Sequence, residues 1–261
     1  MIAERVFVQA TSAPTLAVIT VCWNALADLQ KTCASVAAQQ HPGLVHVVVD
    51  GGSSDGTAAW LTAHSSQFAA AISEPDKGIY DAMNKALTLC PDVDWLIFLN
   101  AGDTFFDAEL VKKTMPALAE GGDFYFGDVL IRSETALSKT VTYPARRNSR
   151  HEMPGCHQSC FVRSSLMKQL KFDLTYKVAG DFECWLRATR KHGAQTGFFD
   201  GVIATVAPEG FSARNERTLQ SEYAQALRTH VSSTAATLWL GKRKLRRVSL
   251  RMREVIKGDS Q

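Results

Sequence analysis

Four polar clusters in the first 103 residues each follow an apolar run, and they hold the side chains best suited to chemistry. The first is Thr20 with Asn24, and the second is Asp50-Gly51-Gly52-Ser53-Ser54-Asp55-Gly56-Thr57. Asp76-Lys77-Gly78 and Asn100-Ala101-Gly102-Asp103 complete the set. The glycine-rich second cluster opens a helix, whose free N–H groups can receive an anion. The plainer alternative is a loop in which Ser53 or Asp55 caps that helix. Asp103 ends the stretch WLIFLNAGD (95–103), where an apolar run stops at an amide, two small residues and a carboxylate. It can serve a ligand or close a turn. Further along, Asp181 opens a helical pattern, His157-Gln158 follows a polar loop, and Asp128 and Ser212 punctuate apolar stretches.

The elements that must position these residues alternate in type. TLAVITVCW (15–23) and VHVVVDGG (45–52) are compact, β-branched and apolar, as buried strands are. FAAAISEPD (68–76) is a weaker third strand, and WLIFLNAGD supplies a fourth. Between them, 25–40, 57–64 and 78–89 carry apolar residues at helical spacing. Strands apolar on both faces, alternating with helices, imply a mainly parallel sheet covered on both sides. Ligands bind beyond the carboxyl ends of such strands, where all four clusters would converge. After Asp103, residues 107–120 read as a helix, DFYFGDVLI and SKTVTYP as antiparallel strands, and 180–193 as another helix. The expectation is an α/β fold with a smaller antiparallel element and a helical extension after about residue 215.

Composition excludes several classes. The chain has 261 residues, enough for one large domain with an appendage. A hydrophobic fraction of 46% and a charged fraction of 21% are ordinary for a globular protein. A net charge of +3 is too small to imply nucleic-acid binding. Six cysteines without a CxxC read as reduced, buried thiols of a cytosolic protein. His157 between Cys156 and Cys160, with His151 upstream, fits no standard zinc spacing. The N-terminus, with acidic and polar residues before any apolar run, makes a poor signal peptide. No uncharged run approaches the ~20 residues that span a bilayer.

In combination, VVVDGGSSDGT, EPDKGIYDAMNKAL and WLIFLNAGDTF, with HQSCFVRSSL, KVAGDFECWLR and IATVAPEGFS after them, resemble the family 2 glycosyltransferases of GT-A fold. The likeness covers roughly 15–215 and is to the subgroup that builds bacterial surface polysaccharides of the colanic-acid type. It implies a domain over 1–214, with a nucleotide-sugar half (15–103) and an acceptor and catalytic half (104–214), then a basic extension (215–261). It further implies that Thr20, Asp50, Ser53, Asp76, Lys77, Asn100 and Gly102 border a nucleotide-sugar donor, UDP-type foremost. Asp103 would hold Mg2+ or Mn2+ on the donor diphosphate, and Asp181 would be the catalytic base. His157, Gln158, Asp128 and Ser212 would lie near the diphosphate or the acceptor, a saccharide or lipid-linked saccharide. The usual three carboxylates of the metal motif are here reduced to Asp103, and an acidic pair is reduced to Gly180-Asp181. Mg2+ often takes only one or two carboxylates, with phosphate and water oxygens. A single in-line displacement, with Asp181 taking the acceptor proton, would invert the anomeric centre.

Two other classes are weighed beside this one. A nucleotidyltransferase wants a glycine-rich basic loop near the N-terminus, and TVCWNALADLQ (20–30) lacks one. A non-catalytic nucleotide-sugar-binding protein is favoured by the missing carboxylates and disfavoured by Asp181. Finally, 241–257 holds eight Lys or Arg and one Glu, with Leu245, Val248, Met252 and Val255 on one stripe. That suits a helix lying on an anionic membrane surface, or one packed on the domain through the same stripe. The expected location is the cytoplasm, peripheral to the inner face of the cell membrane.

Overall fold

The computed structural model describes residues 14–132, 139–141, 151–207 and 210–242. The first half is the expected alternation: β1 (Leu16–Cys22), α1 (Leu26–Ala37), β2 (Leu44–Asp50), α2 (Thr57–Ala63), β3 (Ala70–Ser73), α3 (Ile79–Leu89) and β4 (Trp95–Phe98). β5 (Thr104–Phe105), α4 (Leu110–Ala119), β6 (Phe124–Ile131), β7 (Lys139–Val141), β8 (Cys160–Arg163) and α5 (Ser164–Leu170) follow. The described chain ends with α6 (Gly180–Lys191), β9 (Thr196–Val206), α7 (Phe211–Arg214), α8 (Glu216–His230) and a further helical stretch over 233–242.

All described strands join one sheet of order β3-β2-β1-β4-β8-β6-β9-β5, with β7 beside β6. The first four pair in parallel, so their carboxyl ends share one edge. β4 is the seam, parallel to β1 on one side and antiparallel to β8 on the other. Every residue of β1 and β4 is buried, because helices cover both faces. Their side chains alternate with the pleat. Ala17, Ile19, Leu96 and Phe98 enter a core shared with α3 and α6, whereas Leu16, Val18, Trp95 and Ile97 enter one shared with α4.

The expected smaller antiparallel element is present as an extension of the same sheet, with β4–β8, β8–β6, β6–β7 and β9–β5 antiparallel and β6–β9 parallel. The eleven-residue β9 had no counterpart in the sequence-based picture. Its first half is half-exposed, Asp200-Gly201 breaks its alternation, and its register with β6 shifts around Asp128. The helical extension is real over 216–242 but is docked, burying Glu222, Ala224, Ala226 and Leu227 of α8 together with Trp239. Apart from Gly241 and Lys242, the basic stretch lies outside the described residues, as does the N-terminus through residue 13. Among the described residues, no helix is long and apolar enough to cross a membrane.

Candidate active site

The carboxyl edge is built by loops that lock one another. Asn24 takes a left-handed conformation (φ 48°), which lets its N–H donate to Ser53 Oγ at 2.7 Å while its Oδ1 accepts from Ser54 N–H at 2.9 Å. Asp55 accepts from Leu26 N–H at 2.9 Å and from the Thr57 hydroxyl at 2.6 Å, tying the first turns of α1 and α2 together. Gly56 is the N-cap of α2 and no side chain caps that helix from the N-cap position; Asp55 and Ser53 serve as stitches between loops. Asp50 is fully buried: its oxygens accept from Ser53 N–H (3.0 Å), the Ser53 hydroxyl and the Ser73 hydroxyl (2.6 Å). Thr20 is equally buried, its hydroxyl 2.9 Å from Nε2 of His46, on the face of β1 that carries Val18 and Cys22. Burial holds His46 neutral, lowering its pKa to about 4. Both side chains, of Thr20 and of Asp50, are thus buried and already hydrogen-bonded within the edge. Around them, Asp76 is half-buried and accepts from Gly78 N–H at 2.7 Å, and Lys77 is exposed.

The turn after β4 is held from α1. The Thr32 hydroxyl donates to the Asp103 carbonyl at 2.8 Å and accepts from Gly102 N–H at 3.0 Å. Gly102 sits at φ +97°, where a side chain would be strained. Asp103 itself is 7% exposed, and burial raises its pKa from 3.8 to about 7, against the hydrogen bond it receives from the Gln158 side chain. Gln158 accepts in turn from the Cys156 thiol at 2.7 Å. Oδ1 of Asn100 is buried with no partner. Such an orphan is costly unless something fills it.

Asp181 stands in the first turn of α6, on the edge of a cavity of about 340 Å³. Its Oδ1 accepts from Phe182 N–H at 2.8 Å and lies 3.3 Å from the Tyr80 hydroxyl. Asn100, His157, Gln158 and Ser212 line the same cavity, with Tyr223 and Trp239 as its aromatic wall. His157 stacks against Phe98, centroids 5.1 Å apart, and its Nε2 is a second buried atom without a partner. Burial lowers the His157 pKa, so the ring is neutral.

The structure thus gathers Asp181, His157, Gln158, Asn100 and Ser212 at one cavity, with Asp103 attached through Gln158. Asp128 is buried apart from that lining, at the irregular stretch of β6. The six cysteines are free thiols, five buried and Cys156 half-buried. Among the described residues, no three or more His, Cys, Asp or Glu are grouped to hold a metal. Sequence reasoning missed Trp23, 69% exposed where β1 ends, beside Gly51 and therefore near Asp76. It also missed Tyr80 and Glu222. A tryptophan directly after a core strand is a signal that could have found the first.

A four-stranded parallel half with its polar edge, joined through β4 to antiparallel strands, is the GT-A architecture. The comparisons agree. The sequence model described as "Glycosyl transferase family 2" matches residues 17–179. A glycosyltransferase of Mycobacterium tuberculosis, described as uncharacterized, is 36% identical over 184 residues, 68% of this chain and 70% of its own. A PGL/p-HBAD biosynthesis glycosyltransferase of Mycobacterium bovis is 27% identical over 200 residues, 74% of this chain and 77% of its own. In fold, the chain is similar to residues 1–349 of S. aureus TarS in complex with UDP-GlcNAc (TM-score 0.64, 17% identity, 85% of this chain and 69% of that one). The mannosyltransferase PcManGT from Pyrobaculum calidifontis, in complex with GDP-Man and Mn2+, is also similar (TM-score 0.58, 17% identity, 90% and 81%). The chain belongs to glycosyl transferase family 2.

Proposed function

We propose that this glycosyltransferase inverts the anomeric centre as it moves a sugar from a UDP-type donor to a hydroxyl of a saccharide or lipid-linked saccharide, in bacterial surface-polysaccharide assembly. The observation that carries the reading is Asp181 lining a cavity that Asn100, at the start of the turn after β4, also lines. The acceptor hydroxyl attacks the anomeric carbon and gives its proton to Asp181, while the bond from that carbon to the diphosphate oxygen breaks. Neutral His157 and the Asn100 amide, each with a buried unpartnered atom, are placed to bond the donor's sugar or phosphate oxygens. Trp23 offers an exposed ring to the base, and Asp76 and Lys77 lie within reach of ribose and diphosphate. Thr20, Asp50 and Ser53 act by shaping that edge. Tyr223 and Trp239 give the acceptor an aromatic wall, and a further acceptor-side contact is assigned to Ser212, whereas Asp128, buried apart from the cavity, is given none.

The residues fit a divalent ion in its sparse mode. Asp103 and the orphaned Oδ1 of Asn100 are hard oxygens, the ligand class Mg2+ and Mn2+ prefer, and a cation would relieve the buried carboxylate. When bound, such an ion neutralises the departing diphosphate as a Lewis acid. The basic stretch 241–257, preceded by Leu238 at 62% exposure, supplies contact with an anionic membrane surface. The function is tested by release of nucleoside diphosphate from a panel of UDP- and GDP-sugars, with and without Mn2+ and a saccharide acceptor. Acceptor-dependent release by the wild type and none by Asp181→Asn is the expected result. Equal release by both would remove the base assignment.

A further inference from the structure

Helix α8 begins well beyond residue 179, where the family match ends, yet one of its carboxylates sits under the start of α6. Glu222 is 7% exposed. Its Oε1 accepts from Lys177 N–H, and its Oε2 from Val178 and Ala179 N–H, each at 2.8 Å. Three successive amides therefore converge on one carboxylate from another helix. Successive N–H groups form a concavity that favours an anion, and charged acceptors make roughly twice the bond of neutral ones. Here the protein fills the concavity with its own side chain. From the opposite side, the Tyr80 hydroxyl donates to the Val178 carbonyl at 3.0 Å. The next residue of α8, Tyr223, stacks on Phe182 with centroids 3.8 Å apart and planes 5° from parallel. The two residues of α8 thus grip the chain just before and just after Asp181.

We infer that Glu222 is a positioning residue for glycosyl transfer, fixing the backbone from Lys177 to Ala179 so that Asp181 enters the cavity at a set angle. The inference rests on the reading of Asp181 as base. A misplacement of about 1 Å at a reacting group costs on the order of 100-fold in rate. A role confined to fold stability would leave turnover of the folded enzyme untouched.

Glu222→Gln keeps the shape but offers one acceptor and turns an amide N–H toward the clamp. In the full chain, well below the melting temperature of each variant, amide exchange over 177–181 should rise at least tenfold while exchange over β1 stays constant. With whichever of UDP-GlcNAc, UDP-glucose or GDP-mannose the wild type uses, kcat should fall about 10- to 100-fold. The Kd for UDP should stay within twofold, and Glu222→Asp should recover part of kcat. Unchanged exchange, unchanged kcat, or an equal loss of UDP affinity overturns the inference. Where Glu222→Gln does not fold, the same readings on Glu222→Asp decide. If the wild type releases nucleoside diphosphate from none of the three donors, the transfer reading is what fails. The exchange measurement then judges the clamp by itself.

Discussion

Tyr80 and Gly180 compete for one volume: a Cβ at position 180 would lie 2.8 Å from Cε2 of the Tyr80 ring. The same ring carries the hydroxyl that reaches Val178 and Asp181. Where the family resemblance would put an acidic pair at the start of α6, this chain pairs a glycine with a phenol on α3. Asp181 is then the only carboxylate in that pair's place, with a hydroxyl 3.3 Å away.

Gly180→Ala should destabilise the fold by about 1–3 kcal/mol through overpacking. In a Tyr80→Ala background the added cost should vanish, because the ring that Cβ meets is gone. Thermal unfolding of the two single variants and the double variant measures this coupling. Additive losses would show that the ring yields instead.

Asp181→Asn should lower kcat by about 10²–10⁴-fold, the usual worth of a positioned base. Its affinity for UDP should remain within twofold of the wild type by calorimetry, since the proposed role concerns only the acceptor's proton.

Trp23→Ala should weaken UDP binding by about tenfold or more, the effect of losing one base–aromatic stack. The loss should be the same with and without Mn2+. Asp103→Asn should behave oppositely, weakening UDP binding only when Mn2+ is present. Titrating UDP into both variants under both conditions separates stacking from metal-linked binding.

The buried Asp103 carboxyl gives a pH dependence whose sign can be stated. Its folded pKa of about 7 lies above the unfolded 3.8, so its contribution to stability is full below pH 4 and is lost as pH rises through 7. Asp103→Asn should therefore gain melting temperature relative to the wild type between pH 5 and 8, by a few degrees. His46 titrates with the opposite sign in both proteins and cancels in the difference. Mn2+ with UDP should bind the wild type more tightly as pH rises from 6 to 8, because the ion displaces a proton.

Removal of 241–261 should abolish binding to anionic liposomes and leave neutral liposomes unaffected, with nucleotide affinity retained. Sedimentation with vesicles of either charge gives the answer; undiminished anionic binding would assign the basic stretch another role.

The parallel half was legible because β1, β2 and β4 are short, apolar and largely buried, and each is soon followed by polar residues at the shared edge. The roles of individual residues were less so. Thr20 and Asp50 lie toward the shared carboxyl edge, but the pleat, His46 and the Ser53 and Ser73 hydroxyls engage their side chains in the interior. β9 was hidden because Asp200-Gly201 and the shift near Asp128 break the period that identifies a strand. Glu222 carried no local signal at all, since its three partners lie 43 to 45 residues away. Gly180 looked like a lost carboxylate, and only the packing of Tyr80 shows what took its place.

The pairing of β4 with β8 bears on how specificity changes. On the proposed reading, donor-side groups hang from β1, β2 and β4, and the base and the aromatic acceptor wall hang from α6 and the helices after it. In the sheet, β4 meets β8 through Trp95–Arg163, Leu96–Val162 and Ile97–Phe161, an apolar seam apart from Arg163 over the Trp95 ring. Such a seam asks little of either side beyond shape. Substitutions that keep that shape on one side of the seam should therefore leave the packing of the other side unchanged.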